Sequence, residues 1–238
     1  MSSNKDILPA ARAALRTESR IRPLGRIQLS LTDGDLTIEG EVDHIAAKKL
    51  AVEAVARIPG VVRIIDKLHV HPAVPMGDGE ILDHVRDALV QEIVLASCLV
   101  RVRVKGRVEI VREPPRPHGN IEIGVENGVV TLDGAVSGPG EKRLAGVLAW
   151  WVPGCRDVVN GLSISPPEQD SEAAVTDAVL QVLEKDPFVD ASSIHVFTRD
   201  ATVTLTGTVP HSAELKLAED DAWYVFGVAR VMNQLEVT

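Results

Sequence analysis

What this 238-residue sequence lacks already narrows its reading. No stretch approaches the about 18 consecutive apolar residues that a membrane-crossing helix needs, so none is expected. Met1 to Ala10 holds no apolar core of the secretory type, and a cytoplasmic location is the expectation from it. Cysteine is nearly missing: Cys98 and Cys155 could in principle pair with each other, and their spacing offers neither a metal knuckle nor a redox pair. Each reads instead as a small buried hydrophobe. Aromatic residues make up only 3% of the chain. A surplus of positive charge is absent too, and the net charge of −9 argues against general nucleic-acid binding.

The usual signatures of chemistry are also missing. Ser192, Ser193 and Ser212 have no nucleophile-elbow context. Asn127-Gly128 and Gly138-Pro139-Gly140 are turn chemistry and do not match a phosphate-binding loop. His69 and His71 would share one side of a strand, but no third ligand accompanies them, so no metal centre is expected. Asp220-Asp221 reads as a solvated helix face. An enzyme would need a polar cleft holding a base of strongly perturbed pKa, and nothing in the sequence marks one. The expectation is a non-catalytic protein with no cofactor.

What is present is a repeat. The stretch D-G-D-L-T-I-E-G-E-V around Gly40 recurs as N-G-V-V-T-L-D-G-A-V around Gly134 and as D-A-T-V-T-L-T-G-T-V around Gly207. Thirteen residues before each anchor glycine stands an isoleucine (Ile27, Ile121, Ile194), and two after it a valine (Val42, Val136, Val209). A Leu-Ala pair follows at Leu50-Ala51, Leu144-Ala145 and Leu217-Ala218, then a second glycine at Gly60, Gly154 and Gly227. No residue is gained or lost between these landmarks, so one unit is used three times.

Each unit announces its own elements. Ile121, Ile123 and Val125 alternate with polar or small residues, and Val130 and Leu132 resume the alternation beyond Asn127-Gly128, which predicts a hairpin on a type I′ turn. Asp33-Gly34 serves the first copy in the same way. In the third copy Ala201 replaces the glycine and resists positive φ, so a different or looser turn is expected there. After the hairpin, Ala47, Leu50, Ala51, Ala54, Val55 and Ile58 mark one helix face. The glycine of the second set is a suitable helix stop. Val-rich third strands follow over 61–70, 156–164 and 228–237, and helices over about 5–17, 79–95 and 171–185 lead the copies.

The expected class is therefore α+β, built as three α-β-β-α-β units with two helices over one face of a small mixed sheet. The boundaries fall at 1–72, a Pro- and Gly-bearing linker at 73–79, 80–166, and 167–238. The second unit carries an insertion at about 98–119. There Leu99 to Lys105 alternates, predicting an added strand or hairpin with valines inward and Arg101, Arg103 and Lys105 outward. Gly106 can turn the chain and Arg107 continues it.

Charge and aromatics are unevenly placed. Lys5, Arg12, Arg16, Arg20, Arg22 and Arg26 make a basic N-terminal segment. Arg101, Arg103, Lys105, Arg107, Arg112 and Arg116 make another in the insertion. The third unit holds much of the opposite sign, at Glu168, Asp170, Glu172 and Asp177 and at Glu219 to Asp221. Trp150-Trp151 and Trp223-Tyr224 occupy equivalent positions after the anchor glycine, where the first copy has Ala56-Arg57, and Phe226 follows nearby. Their shared offset predicts packing between the second and third units, with a partner or membrane-surface patch as the sharper alternative. His44 and His211 share a helix entrance.

The element order, the N-G-V-V-T-L-D-G-A-V core, and Pro153-Gly154 before a V-x-N-x-L strand resemble the BON domain (bacterial OsmY and nodulation). The resemblance covers most of the chain as three copies. It implies a binding module of osmotic or general stress that attaches to phospholipid surfaces, envelope components or a protein partner. Arg101, Arg103, Lys105 and Arg107 are the candidates for meeting anionic headgroups; alternatively the basic strips face the acidic third unit. A potassium-binding role is a further implication of the resemblance.

Overall fold

The computed structural model describes residues 4–21, 26–167 and 170–238; Arg22, Glu168 and the side chain of Lys5 lie outside the described residues. The chain divides into two compact units, residues 1–71 and 72–238.

In the first unit, helix α1 (Asn4–Thr17) precedes strands β1 (Ile27–Thr32) and β2 (Asp35–Val42), helix α2 (Ile45–Ala56) and strand β3 (Arg63–Val70). β1 and β2 form an antiparallel hairpin, and β3 returns parallel to β2. A parallel neighbour requires a crossover, and α2 is that crossover. Ala11 and Leu15 of α1 meet Leu36, Ile38 and Val42 of β2 and Ala47, Ala51 and Val55 of α2 in a closed apolar core.

The second unit contains the other two copies. Its α3 (Asp78–Gln91) is followed by the inserted hairpin β4 (Cys98–Val104) and β5 (Arg107–Arg112). Then come β6 (Gly119–Glu126), β7 (Val129–Val136), α4 (Pro139–Trp150), β8 (Asp157–Asn160) and β9 (Ser163–Ile164). The third copy runs α5 (Glu172–Lys185), β10 (Ile194–Arg199), β11 (Thr202–Val209), α6 (Ser212–Tyr224) and β12 (Arg230–Val237). The insertion pairs parallel to β6 through β4, so a three-stranded repeat grows into the sheet β5-β4-β6-β7-β8, with β9 also on β7. The third copy keeps the plain order β10-β11-β12.

The anchor glycines occupy one environment three times. Each stands opposite the repeat isoleucine: Gly40 opposite Ile27, Gly134 opposite Ile121, Gly207 opposite Ile194. Their φ values are +127°, +127° and +113°. A Cβ there would lie 1.9, 2.2 and 1.9 Å from the carbonyl oxygens of Arg26, Asn120 and Ser193, so only glycine fits.

Several expectations need correction. The third hairpin has the same two-residue turn as the others: Arg199 pairs with Thr202, and Asp200 and Ala201 take φ of +48° and +56°. Strand twist demands the primed turn of a two-residue loop, and that demand outweighs alanine's reluctance. Lys105 is not a strand residue but stands with Gly106 in a further turn of this kind, at φ +49° and +79°. Helix α3 stops at Gln91, short of Leu95. The second copy's last strand breaks at Gly161, whose N–H donates to the Leu132 carbonyl. Gly60 and Gly227 take positive φ several residues beyond the helix ends. Gly154 is absent from that group; there a Cβ would meet the Met76 side chain at 2.6 Å.

One tie between helix and last strand is built in two opposite ways. Asn160 and Asn233 donate through Nδ2 to the helix carbonyls of Lys142 and Leu215, each at 2.7 Å. The equivalent first-copy residue is Asp66, which has no hydrogen to donate. The direction reverses there: buried Lys48 on α2 donates to the Leu68 carbonyl and pairs with Asp66 at 3.0 Å.

Candidate docking surface and its supporting seam

Alternation along the six-stranded sheet sends Val100, Val102, Ile121, Ile123, Val130 and Leu132 into the core. The residues between them, Arg101 and Arg103 on β4, Glu122 on β6, and Thr131 and Asp133 on β7, therefore share the opposite face. Register brings the charges together. Arg103 donates through Nε to Glu122 at 2.9 Å and lies 3.7 Å from Asp133. Arg101 approaches Glu122 at 3.8 Å and donates to Asn120 Oδ1 at 3.4 Å, while its buried Nε has no partner. These two arginines are thus neutralised by acids of their own sheet.

The tip of the hairpin is different. Lys105 and Arg107 are exposed. Next to them on β5, Val108 and Ile110 are 49% and 60% exposed, opposite Arg103 and Arg101 in the register. Cations and aliphatic side chains thus stand together on the edge of the sheet. Arg112, in the same basic run, turns inward and donates to the carbonyls of Val90 at 2.9 Å, Cys98 at 3.2 Å and Leu95. Its charge serves to close the loop after α3.

The aromatic helix ends form the seam between the second and third copies. Trp150 stacks on Tyr224 with ring centroids 5.6 Å apart and planes at 21°. Trp223 is fully buried, and Trp151 donates its indole N–H to Asp221 Oδ1 at 2.9 Å. Phe226 is half exposed, with the Lys142 ammonium 4.8 Å from its ring centre.

Charged groups complete the seam. Arg143 on α4, only 1% exposed, donates through Nε to the Phe226 carbonyl at 2.9 Å and grips both oxygens of Asp170. Lys185 on α5 holds Glu92 at 2.9 and 3.1 Å. Burial pushes Glu92 up, but the Val94 N–H and Lys185 outweigh it and keep its carboxyl below the usual range.

Asp221 contradicts the solvated-face reading, because it is 3% exposed in this seam. Burial pushes its carboxyl up to about 8; the Trp151 N–H opposes the shift, and Asp186 and Asp220 add to it. Asp220 beside it is half-buried and pairs with Lys216.

The remaining candidates are structural in place. His44 caps α2 by accepting from the Ala47 N–H at 3.1 Å, whereas His211 precedes α6 without a side-chain bond to it. The His71 ring is 3.8 Å from Glu41. Among the described residues no group of three or more His, Cys, Asp or Glu is arranged to hold a metal. Both cysteines are free and buried, and burial pushes the Cys155 thiol up to about 12. No described helix is long and apolar enough to cross a membrane.

Sequence reasoning missed Arg143, Glu92 and Lys185. A signal for the first existed: Lys49, Arg143 and Lys216 all stand nine residues after their anchor glycines.

The BON domain family model matches residues 5–72, 100–166 and 171–238. Osmotically-inducible protein Y of Escherichia coli (strain K12) is 30% identical over 123 residues, covering 49% of this chain and 61% of that protein. The chain thus spans less than two thirds of that relative's length. Among solved structures, the C-terminal domain of CdsD, a type III secretion structural protein of Chlamydia trachomatis, aligns over 100% of both chains at 14% identity with a TM-score of 0.26. The PrgH periplasmic domain aligns over 95% of this chain and 98% of its own at 10% identity, with a TM-score of 0.24. With three matches of the family model in tandem, one on each copy and the second starting beyond α3 within β4, the chain belongs to the BON domain family.

Proposed function

We propose that this protein is a non-catalytic docking module of the osmotic-stress response, and that it attaches to anionic phospholipid surfaces through the inserted hairpin of its second copy. The link to osmotic stress rests on the similarity to osmotically-inducible protein Y. The observation that carries the docking reading is the division of labour among the four basic residues. Arg101 and Arg103 have their charge satisfied by Glu122 and Asp133, whereas Lys105 and Arg107 project from the tip beside exposed Val108 and Ile110. Basic residues near an anionic leaflet contribute about 1 kcal/mol each, and shallow insertion of aliphatic side chains adds to this.

The test is co-sedimentation of the full chain with phosphatidylglycerol–phosphatidylcholine vesicles and with phosphatidylcholine vesicles. Binding to the anionic vesicles alone, weakening with salt, is the expected result. Changing Lys105 and Arg107 together to Glu should reduce binding about tenfold or more, because two favourable charges become repulsive. Changing Arg101 and Arg103 to Gln should matter far less. The proposal is wrong if the unaltered chain ignores anionic vesicles, or if the tip variant binds them as before.

A further inference from the structure

Asp221 is a carboxyl placed where an ionised carboxylate is poorly served. It projects from α6 into the seam and is 3% exposed. One oxygen accepts the Trp151 indole N–H from the second copy at 2.9 Å. The other oxygen is buried and accepts nothing. A neighbouring carboxyl, that of Asp186 at the end of α5, raises Asp221 through its charge and through side-chain hydrogen bonding, and its own Oδ1 already accepts the Phe188 N–H at 2.8 Å. Two carboxyls in contact, one of them buried, are accommodated when a proton lies between them. A protonated Asp221 satisfies every atom: Oδ1 accepts from Trp151, and Oδ2 donates to Asp186.

We propose that Asp221 is a protonation switch in the seam: protonated, it ties α4 of the second copy to α5 and α6 of the third, and ionised, it loosens them. The surrounding groups favour the neutral form. The charges acting on Asp221 are Asp186 from α5 and Asp220 from its own helix, both acidic. Lys185, next to Asp186, is engaged by Glu92, and Lys216 is engaged by Asp220. From the far side Asp221 and Asp220 raise the Tyr224 phenol, already raised by burial, and Cys155 adds to it. Trp151 presents a neutral donor that serves either form.

The sign follows from linkage. The folded carboxyl titrates near 8 against an ordinary 3.8, so the folded state holds a proton that the unfolded chain has released across that interval. The stabilisation is complete below the lower value and is lost as pH rises towards 8. Nothing here depends on the lipid reading, and failure of either leaves the other standing.

The experiment is thermal unfolding of the full chain between pH 5 and pH 8.5, read by tryptophan fluorescence. The indole ¹⁵N–H resonance of Trp151 is followed in parallel. In the unaltered chain the midpoint temperature of the tryptophan-reported transition should fall as pH rises, and the Trp151 resonance should titrate with it. Asp221→Asn keeps an acceptor for Trp151 and supplies a permanent donor to Asp186. It should therefore flatten the pH dependence and leave the variant more stable than the parent at pH 8. Equal slopes in parent and variant would overturn the proposal. Should Asp221→Asn not fold, Asp186→Asn decides. Removing that acid must move the Trp151 titration to lower pH, and an unmoved midpoint contradicts the switch.

Discussion

The first copy and the joined second and third copies start from the same repeat and end their second helices differently. Where the first copy has Ala56-Arg57, the others have Trp150-Trp151 and Trp223-Tyr224. The first copy is a compact unit of its own, while the second and third share one. A repeat of this size buries only about 60% of the surface its unfolded chain exposes, so it gains from any further apolar contact. The aromatic helix ends supply that contact, and the ions beside them, Arg143 with Asp170 and Lys185 with Glu92, fix its geometry. Substitutions at two adjacent repeat offsets thus accompany the change from a single unit to a fused pair.

The largest way to break this contrast is Trp223→Ala. It removes a fully buried indole from the third copy, at an expected cost of about 3–5 kcal/mol. Calorimetry should show the transition of residues 72–238 moving down strongly while that of residues 1–71 stays in place. An equal shift of both would mean that the seam is not where this stability resides.

A smaller effect sharpens the reversed helix–strand tie. Asn160→Asp in the second copy reproduces the first copy's Asp66 without the cation that makes Asp66 tolerable, since Lys142 extends over Phe226. The Lys142 carbonyl loses its donor, and the expected cost is about 1–3 kcal/mol in urea titration. A neutral result would show that the tie contributes nothing in that copy.

Most of the fold is legible because it is local and repeated. Ile–Gly pairing across each hairpin, the alternation in β6 and β7 and the helix stripe from Ala47 to Val55 are written at short range, and three copies average out the noise; Ile58, read as part of that stripe, lies beyond the helix end. What escapes is decided by distant neighbours. Asp221 has the sequence context of a solvated helix face, yet α4 folds over it and removes it from water. Arg143 looks like any helix arginine until Asp170 and the Phe226 carbonyl close on it. Ala201 is held in its turn by strand register, which residue preference alone does not convey. In the candidate surface, the basic run is visible in the sequence. That Arg112 turns inward, and that Arg101 and Arg103 are matched by Glu122 and Asp133, depends on which strands become neighbours.

All three tryptophans lie in the second and third copies, so their fluorescence reports that unit alone. Far-UV circular dichroism reports the whole chain. Urea unfolding followed by both signals is therefore the most direct test of the seam. A fused second and third copy should give one fluorescence transition, with both unfolding together, and the first copy a separate dichroism step. Two fluorescence steps, with Trp150 and Trp151 released apart from Trp223, would contradict it.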